Sequence, residues 1–198
     1  MADLLTYFFI ITTILGLILT VYYGRKSREL EKSRKKLEWA DLQASANDLG
    51  AKLKKQFKPR IVFTPGLRGA TFANLLLNEF DYEIPIFVGV SSWKDNKGAV
   101  SALTGFMLIE TKKWYVHIPE SILDFKEEHL LIVDDFAMSG DFIERVRELF
   151  IARGFDGKNI KTMSIATTRV AIHNHKAPDY YWMETIDDSF YFPWGKAK

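Results

Sequence analysis

The segment at residues 130–142 constrains the fold of this chain more than any other. Four aliphatic residues run into two adjacent acids, and a turn of small residues separates the acids from an amphipathic stretch, in the order LLIVDDFAMSGDF. A continuous aliphatic run is typical of a parallel strand that is buried on both faces. The apolar spacing that follows predicts a helix over 141–153. The segment therefore predicts a strand–loop–helix unit of an α/β sheet.

The two acids, Asp134 and Asp135, are predicted to lie at the carboxyl end of this strand, where open α/β sheets bind their ligands. The backbone amides of residues 137–140 would open the helix, where unpaired N–H groups and the helix dipole favour a phosphate. Carboxylates for sugar hydroxyls or Mg²⁺, beside amides for a phosphate, predict a pocket for a sugar phosphate. An ordinary buried strand that ends in an Asp-Asp turn is the alternative interpretation.

Three other parts of the chain carry a resemblance to a known family. They are residues 60–70 (RIVFTPGLRGA), residues 84–98 (IPIFVGVSSWKDNKG) and a C-terminal part that contains APDYYW and FPW. Together with residues 130–142, and in this order, they resemble the type I phosphoribosyltransferases, most closely the xanthine–guanine and hypoxanthine branch. The resemblance covers residues 58–198. It implies a Rossmann-like parallel sheet with flanking helices and a C-terminal hood, in which the APDYYW and FPW segments frame the purine base.

The resemblance implies a role for each segment in binding 5-phosphoribosyl-1-pyrophosphate (PRPP) or a nucleoside 5′-monophosphate. The two acids would hold the ribose hydroxyls, directly and with Mg²⁺, and an arginine fork would bind the leaving pyrophosphate. The residues implied are, for catalysis, Asp134, Asp135 and Arg68; for the donor, also Ala137, Met138, Ser139, Gly140, Asp141 and Phe142; for the pyrophosphate loop, Leu67, Arg68 and Gly69; for a mobile lid, Ser91, Ser92 and Trp93; and for the base pocket, Arg169 and Phe190.

The sequence departs from the family pattern mainly where the family reads its base. Met138 stands where the purine branch usually has an Asp that exchanges a proton with the purine N7, and methionine cannot transfer a proton. The lysine that reads the purine 6-oxygen falls at Ala171, and the stacking tryptophan falls at Ser189. Phe142 replaces a hydroxyl residue of the phosphate loop. The phosphoribosyl half of the pocket is kept, and the base-reading half is altered.

A second signal precedes all of these segments, because residues 4–23 carry no charge. Twenty residues at about 1.5 Å each span about 30 Å, the thickness of the hydrocarbon core of a bilayer. We therefore predict a transmembrane helix over residues 1–24, with a cleaved signal peptide and a buried core helix as alternatives. A signal peptide would need basic residues before the apolar run, but Asp3 precedes it.

The distribution of charge then predicts the orientation of the chain in the membrane. Residues 25–60 hold twelve Lys and Arg against five acids, although the whole chain has a net charge of only +2. By the positive-inside rule this sequence predicts a single-pass protein of the cell (inner) membrane with a cytoplasmic globular domain. The basic segment is expected to contact membrane lipid headgroups rather than nucleic acid. Zero Cys is compatible with a reducing compartment.

Three domains are predicted from these signals: the membrane helix, a basic helical juxtamembrane stalk at residues 25–57, and a phosphoribosyltransferase-like domain at residues 58–198. An incomplete heptad pattern in the stalk leaves a homo-oligomer or a protein partner open. Within the α/β domain we predict strands over 61–64, 84–90, 102–109, 113–117, 129–133 and 161–167, and helices over 70–80 and 141–153.

Two classes of function follow. The first is a membrane-anchored enzyme that transfers ribose 5-phosphate to or from a nitrogenous base, with Mg²⁺ as its cofactor. The second is a catalytically weakened module that senses a nucleotide and signals through the membrane helix or a partner, as in a bacterial stress or anti-phage system. The sequence contains no P-loop, dinucleotide-binding turn or serine-hydrolase elbow, which argues against those chemistries.

Overall fold

The computed structural model describes residues 12–25, 35–95, 102–111 and 113–197. The described residues 12–25 are helical and are called α1. Within the described residues, no helix combines the length and the apolar character that a bilayer crossing demands. The predicted transmembrane localisation is therefore wrong. Residues 1–11 of the predicted membrane segment lie outside the described residues.

The rest of the described chain alternates strands and helices, as an α/β domain requires. The helices are α2 (Trp39–Gln56), α3 (Leu67–Leu77), α4 (Asp141–Ala152) and α5 (Arg169–His173). The strands are β1 (Lys35–Lys36), β2 (Ile61–Thr64), β3 (Ile86–Val88), β4 (Val90–Trp93), β5 (Phe106–Glu110), β6 (Trp114–Pro119), β7 (Leu130–Ala137), β8 (Ile160–Thr168), β9 (Tyr180–Thr185), β10 (Phe190–Phe192) and β11 (Gly195–Lys196).

The centre of the fold is a five-stranded sheet with the order β3-β2-β7-β8-β9. Every neighbouring pair in it is parallel, so all five carboxyl ends meet at one edge. The aliphatic run at 130–133 lies in the middle strand, and each of its residues is fully buried. This confirms the predicted α/β fold with a central parallel sheet, because only a strand covered on both faces can hold such a run.

Alternate residues of the central strands pack into two separate cores. Val62, Leu131 and Val133 belong to a core that includes residues of α2 and α3. Phe63 and Ile132 belong to the other core, which includes residues of α4 and of the antiparallel strands β5 and β6. Because successive side chains of a strand point to opposite faces of the sheet, the continuous apolar run of β7 contributes to both cores.

Helix α2 lies in the segment that the sequence predicts to be a stalk, yet it packs on the α/β domain. Its apolar face, with Leu42, Ala46, Leu49 and Leu53, is completely buried in the same core as α3. Glu79 lies against Gly50, where an added Cβ would come within 2.8 Å of its side chain. The helix therefore covers one face of the sheet.

Two small sheets flank the central one. Strands β4-β6-β5 form an antiparallel sheet beside the second core. Strands β1-β10-β11 join the residues just before α2 to the C-terminal segment, with β1 parallel to β10 and β10 antiparallel to β11. Both ends of the described α/β domain are thus tied into one sheet.

Asp179 fastens the edge strand β9 to β8. Its carboxylate accepts hydrogen bonds from the backbone and hydroxyl of Thr162, at 2.8 and 2.9 Å, and from Lys161 Nζ at 2.9 Å. Partial burial raises the pKa of Asp179, but the bonds from Lys161 and Thr162 outweigh burial, and the pKa lies below its ordinary value. The folded protein therefore favours the ionised carboxylate.

We expect Asp179→Asn to lower the free energy of unfolding at pH 7 by about 1.5–3 kcal/mol, the usual contribution of hydrogen bonds to a charged group. A lowered pKa gives stability that is present above the unfolded pKa of about 3.9 and is lost as the pH falls through the folded value. The difference in the free energy of unfolding between the variant and wild type, measured by urea unfolding, should therefore become smaller below about pH 4. Asp124→Asn is the control, because Asp124 accepts no side-chain hydrogen bond from the described residues. An equal loss in both variants would contradict the assignment.

Candidate functional site

Two carboxylates stand at the carboxyl end of the central strand. Strand β7 continues through Ala137, so Asp134 and Asp135 lie within the last residues of the strand rather than after its end. Asp135 is 5% exposed, and Asp134 is half-buried. Asp134 Oδ1 accepts a hydrogen bond of 2.9 Å from the backbone amide of Asp135. The two acids are therefore adjacent, fixed and largely removed from water.

Burial and mutual repulsion dominate the electrostatics of this pair. Burial, followed by the negative charge of Asp135, raises the pKa of Asp134 well above its ordinary value. Burial also raises the pKa of Asp135, but the hydrogen bond from Trp194 and the charge of Arg68 oppose this effect. The pair therefore holds negative charge that the described residues compensate only in part, which is favourable for binding a cation or several hydroxyl donors.

Arg68 approaches the acids from the neighbouring strand–helix unit. Helix α3 begins at Leu67, so Arg68 lies in its first turn rather than in a loop. Its Nη1 is 3.8 Å from Asp135 Oδ2. Gly69 allows this approach, because an added Cβ would lie 2.6 Å from the carbonyl oxygen of Val133. The side chain of Leu67 is 80% exposed and takes no part in this packing.

The turn between β7 and α4 is held closely by its neighbours. Gly140 precedes the helix with a φ of 77°, and its Cα lies so close to residue 176 that an added Cβ would be 1.9 Å from the Lys176 carbonyl. Ser139 Oγ donates to Asp141 at 2.8 Å. The turn leads into the N-terminus of α4, and a helix N-terminus is a position that favours a phosphate.

Sequence reasoning missed Lys176 at this loop. Its Nζ is 2.6 Å from Asp141 Oδ1 and 3.2 Å from Glu144 Oε2. The hydrogen bond from Lys176 is the main reason that the pKa of Asp141 lies below its ordinary value. No local pattern could have shown the contact, because the two residues are 35 positions apart. A cation thus stands beside the acid that opens α4.

The structure distributes the other predicted site residues over different environments. Ser91, Ser92 and Trp93 lie in β4, where Trp93 stacks on Trp114 with ring centroids 3.9 Å apart. Phe190 is 2% exposed and packs against Phe136 in the core. Trp93 and Phe190 are therefore held by packing, and Ser91 and Ser92 are held by the pairing of β4 with β6.

Arg169 follows β8 at the same edge of the sheet as the acids. Its Nε is 2.6 Å from Glu184 Oε1, and both side chains are exposed. Met138 is also exposed, at 48%, and its backbone oxygen accepts a hydrogen bond from Thr168 Oγ1. Ala171 is completely buried. The edge beyond the acids therefore offers an apolar side chain and a neutralised ion pair, rather than an unpaired cation or a proton donor.

Trp194 is the second functional residue that sequence reasoning did not assign to the site. Its Nε1 donates to Asp135 Oδ2 at 3.0 Å, across 59 positions of sequence. The FPW segment was a signal that could have led to it, since the resemblance placed that segment over the pocket.

The acids fit a divalent cation that a ligand helps to coordinate. Among the residues that the structure describes, no three His, Cys, Asp or Glu side chains converge on one point. Mg²⁺ commonly takes one or two carboxylates, several waters and substrate phosphates rather than a cage of protein ligands. Asp134 and Asp135 offer such a pair, and the described residues compensate its negative charge only in part.

Comparison with known proteins agrees with this geometry. The model of the family described as "Phosphoribosyl transferase domain" matches residues 37–197. No curated protein matches the sequence. Among solved structures, the purine phosphoribosyltransferase of Pyrococcus horikoshii is 23% identical, with 82% of this chain and 94% of that chain covered and a TM-score of 0.59.

Two further structures share the fold. The xanthine-guanine-hypoxanthine phosphoribosyltransferase of Helicobacter pylori is 13% identical, with 81% of this chain and 93% of that chain covered and a TM-score of 0.55. The adenine phosphoribosyl transferase of Trypanosoma brucei, in complex with AMP, pyrophosphate and ribose-5-phosphate, is 11% identical, with 72% and 64% covered and a TM-score of 0.55. At these identities the likeness concerns the fold alone.

We expect Asp134→Asn to stabilise the domain in the absence of ligand. A raised carboxyl pKa means that the folded state disfavours the ionised form, so the charge costs stability at neutral pH and the cost disappears as the pH falls towards the unfolded pKa of about 3.9. The melting temperature at pH 7 should rise by a few degrees, since about 1 kcal/mol corresponds to about 2–4 °C in a domain of this size. The rise in melting temperature relative to wild type should become smaller near pH 4.

Asp187→Asn is the matched control for this measurement. The hydrogen bond from Ser189 lowers the pKa of Asp187, so the same substitution should give no gain there. A lower melting temperature for Asp134→Asn at pH 7 would show that the acid is structurally required.

Proposed function

Because the chain belongs to the phosphoribosyl transferase domain family, we propose that it binds PRPP with Mg²⁺ at the carboxyl edge of its sheet and transfers ribose 5-phosphate between pyrophosphate and a nitrogenous base. The observation that carries the proposal is the convergence of Asp134, Asp135 and Arg68, with Arg68 Nη1 3.8 Å from Asp135 Oδ2. Two buried acids beside a guanidinium, at the edge where parallel sheets bind ligands, suit a donor that has hydroxyls and a pyrophosphate.

Each part of the donor has a matching group in the described residues. The carboxylates of Asp134 and Asp135 accept the ribose hydroxyls and hold the metal ion. The guanidinium of Arg68, 35% exposed, binds pyrophosphate oxygens. The amides between Ala137 and Gly140 bind the 5-phosphate at the start of α4.

The proposed reaction exchanges one bond at the anomeric carbon for another. A base nitrogen forms a bond to this carbon while the bond to the pyrophosphate oxygen breaks. Pyrophosphate leaves with the electron pair, and the proton that the base gives up passes to solvent. Arg68 stabilises the negative charge on the leaving group, and the two carboxylates stabilise the positive character that the ribose gains. Bound Mg²⁺ supplies further neutralisation of the pyrophosphate.

The base side of the site supports a second candidate function. Met138 cannot exchange a proton, and the guanidinium of Arg169 is paired with Glu184. Both features favour a module that binds a nucleotide and turns it over slowly. The two candidates share the donor pocket and differ in whether the base is activated.

Donor binding is the first test of the shared pocket. We expect calorimetry to show that the chain binds PRPP in the presence of Mg²⁺ and also binds a nucleoside 5′-monophosphate. The Asp134→Asn/Asp135→Asn variant should lose both, because ionised acceptors for the hydroxyls are gone. Arg68→Ala should weaken PRPP binding about tenfold or more and monophosphate binding less, since hydrogen bonds to charged groups contribute about 1.5–3 kcal/mol and only PRPP carries pyrophosphate.

The matched control for Arg68 is Arg60→Ala. Arg60 precedes β2 at the opposite end of the strand and pairs with Glu128 at 3.8 Å on the surface. Equal PRPP affinity in wild type and in the double-Asn variant would refute the site.

Turnover separates the two candidates. With Met138 in place, we expect hypoxanthine, guanine or xanthine to be converted slowly or not at all, because general acid–base assistance is worth about a hundred- to ten-thousand-fold. Met138→Asp should raise purine turnover if the remaining base contacts suffice. Met138→Asn is the control, because asparagine is similar in size to aspartate but has no carboxyl group that could transfer a proton. Wild-type turnover on the order of 10 per second would show that the function does not need a proton-transferring residue at this position.

A further inference from the structure

The C-terminal segment touches the two residues of the donor site that carry opposite charge. Trp194 Nε1 donates to Asp135 Oδ2 at 3.0 Å. The backbone carbonyl of Lys196 accepts a hydrogen bond of 3.0 Å from Arg68 Nη1. Residues that the sequence resemblance placed over the base therefore contact the proposed ribose and pyrophosphate sites.

Packing on two sides fixes the indole that makes the first contact. The ring of Trp194 stacks on Phe192 with centroids 5.1 Å apart and an interplanar angle of 16°. The ring of Trp39, at the start of α2, meets its edge at 5.9 Å. The backbone is held as well, since Phe192 pairs with Gly195 in the antiparallel register of β10 and β11.

The chemistry of the indole suits a buried carboxylate. An indole N–H only donates and does not titrate, so it can stabilise the ionised acid without competing for a cation. Asp135 is 5% exposed, and water can satisfy little of its charge. Trp194 donates a hydrogen bond to Oδ2 of Asp135, and Arg68 pairs with the same oxygen at 3.8 Å.

We infer that Trp194 is a positioning residue of the donor site, which fixes the carboxylate of Asp135 for the ribose so that the C-terminal segment determines affinity for PRPP. The inference rests on the proposed function. It assigns to this segment a role on the donor side of the pocket, through Trp194 and through the carbonyl that orients Arg68.

The experiment compares two tryptophans that make the same kind of bond. Trp194→Phe keeps an aromatic ring against Phe192 but removes the N–H donor together with part of the ring volume, and the control variant makes the same change of size. Trp182→Phe is the matched control, because Trp182 Nε1 donates to Asp48 Oδ2 at the same distance, 3.0 Å, between β9 and α2. Calorimetry with PRPP and Mg²⁺ is run on both variants of the full chain.

We expect Trp194→Phe to weaken PRPP binding about tenfold, which corresponds to about 1.4 kcal/mol, and Trp182→Phe to change it less than about twofold. In an Asp135→Asn background, Trp194→Phe should add less than about twofold, since residues that act through one contact are not additive. A tenfold loss that persists in that background would mean that Trp194 acts through general stability, and would overturn the inference.

Nuclear magnetic resonance of the indole N–H groups gives a readout that packing alone would not move. The chain has 5 tryptophans, and the Trp194 signal is identified by its loss in Trp194→Phe. We expect Asp135→Asn to shift this signal without ligand, and PRPP with Mg²⁺ to shift it more than the Trp182 signal. An unmoved Trp194 signal in Asp135→Asn would overturn the inference.

The two hypotheses fail in different ways. If the wild-type chain binds no PRPP, the proposed function is refuted and the inference falls with it. If the wild-type chain binds PRPP and Trp194→Phe binds it equally well, only the inference is refuted.

Discussion

Two adjacent carboxylates at the end of a buried strand are the constraint around which the site is organised. Removing a carboxylate from water is costly unless partners compensate its charge. Asp135 has an indole donor at 3.0 Å and a guanidinium at 3.8 Å. Asp134 has the backbone amide of its neighbour, and its pKa is raised by burial and by the adjacent charge. A protein keeps such a pair where a ligand supplies the missing partners.

Two parts of the fold meet to compensate these acids. Helix α3 brings Arg68, and it can do so because Gly69 has no Cβ to strike the carbonyl oxygen of Val133. The C-terminal sheet brings Trp194, which donates to Asp135, and the carbonyl of Lys196, which accepts from Arg68. The parallel order β3-β2-β7-β8-β9 makes this convergence possible, because it places the strand ends at one edge.

The surroundings of the acids differ from one side to the other. Arg68 lies beside Asp135, whereas the edge beyond the acids carries the exposed Met138 and the ion pair of Arg169 and Glu184. The turn into α4 has an acid, Asp141, at the start of the helix, and Lys176 pairs with it at 2.6 Å. Charge at this turn is therefore balanced by a residue from outside the local motif.

Sequence alone determined the features that depend on neighbouring residues. The aliphatic run at 130–133 predicted the buried central strand, and the spacing after Gly140 predicted α4, found at Asp141–Ala152 against a prediction of 141–153. Local pattern also places the acids beside a phosphate-type loop. It was misleading for the membrane localisation, because an uncharged run does not by itself establish a spanning helix, and no helix among the described residues has the length and apolar character of one.

Only the tertiary structure decided which distant groups meet. The sequence predicts a helix within residues 25–57, but an apolar face does not reveal what covers it, and the structure packs α2 beside α3. The contacts of Trp194 with Asp135 and of Lys176 with Asp141 join residues 59 and 35 positions apart. Such contacts depend on strand order and register, which hydrogen bonds between strands set and which no local spacing encodes. The sequence therefore determined the chemistry of the donor acids, and the fold decided their partners.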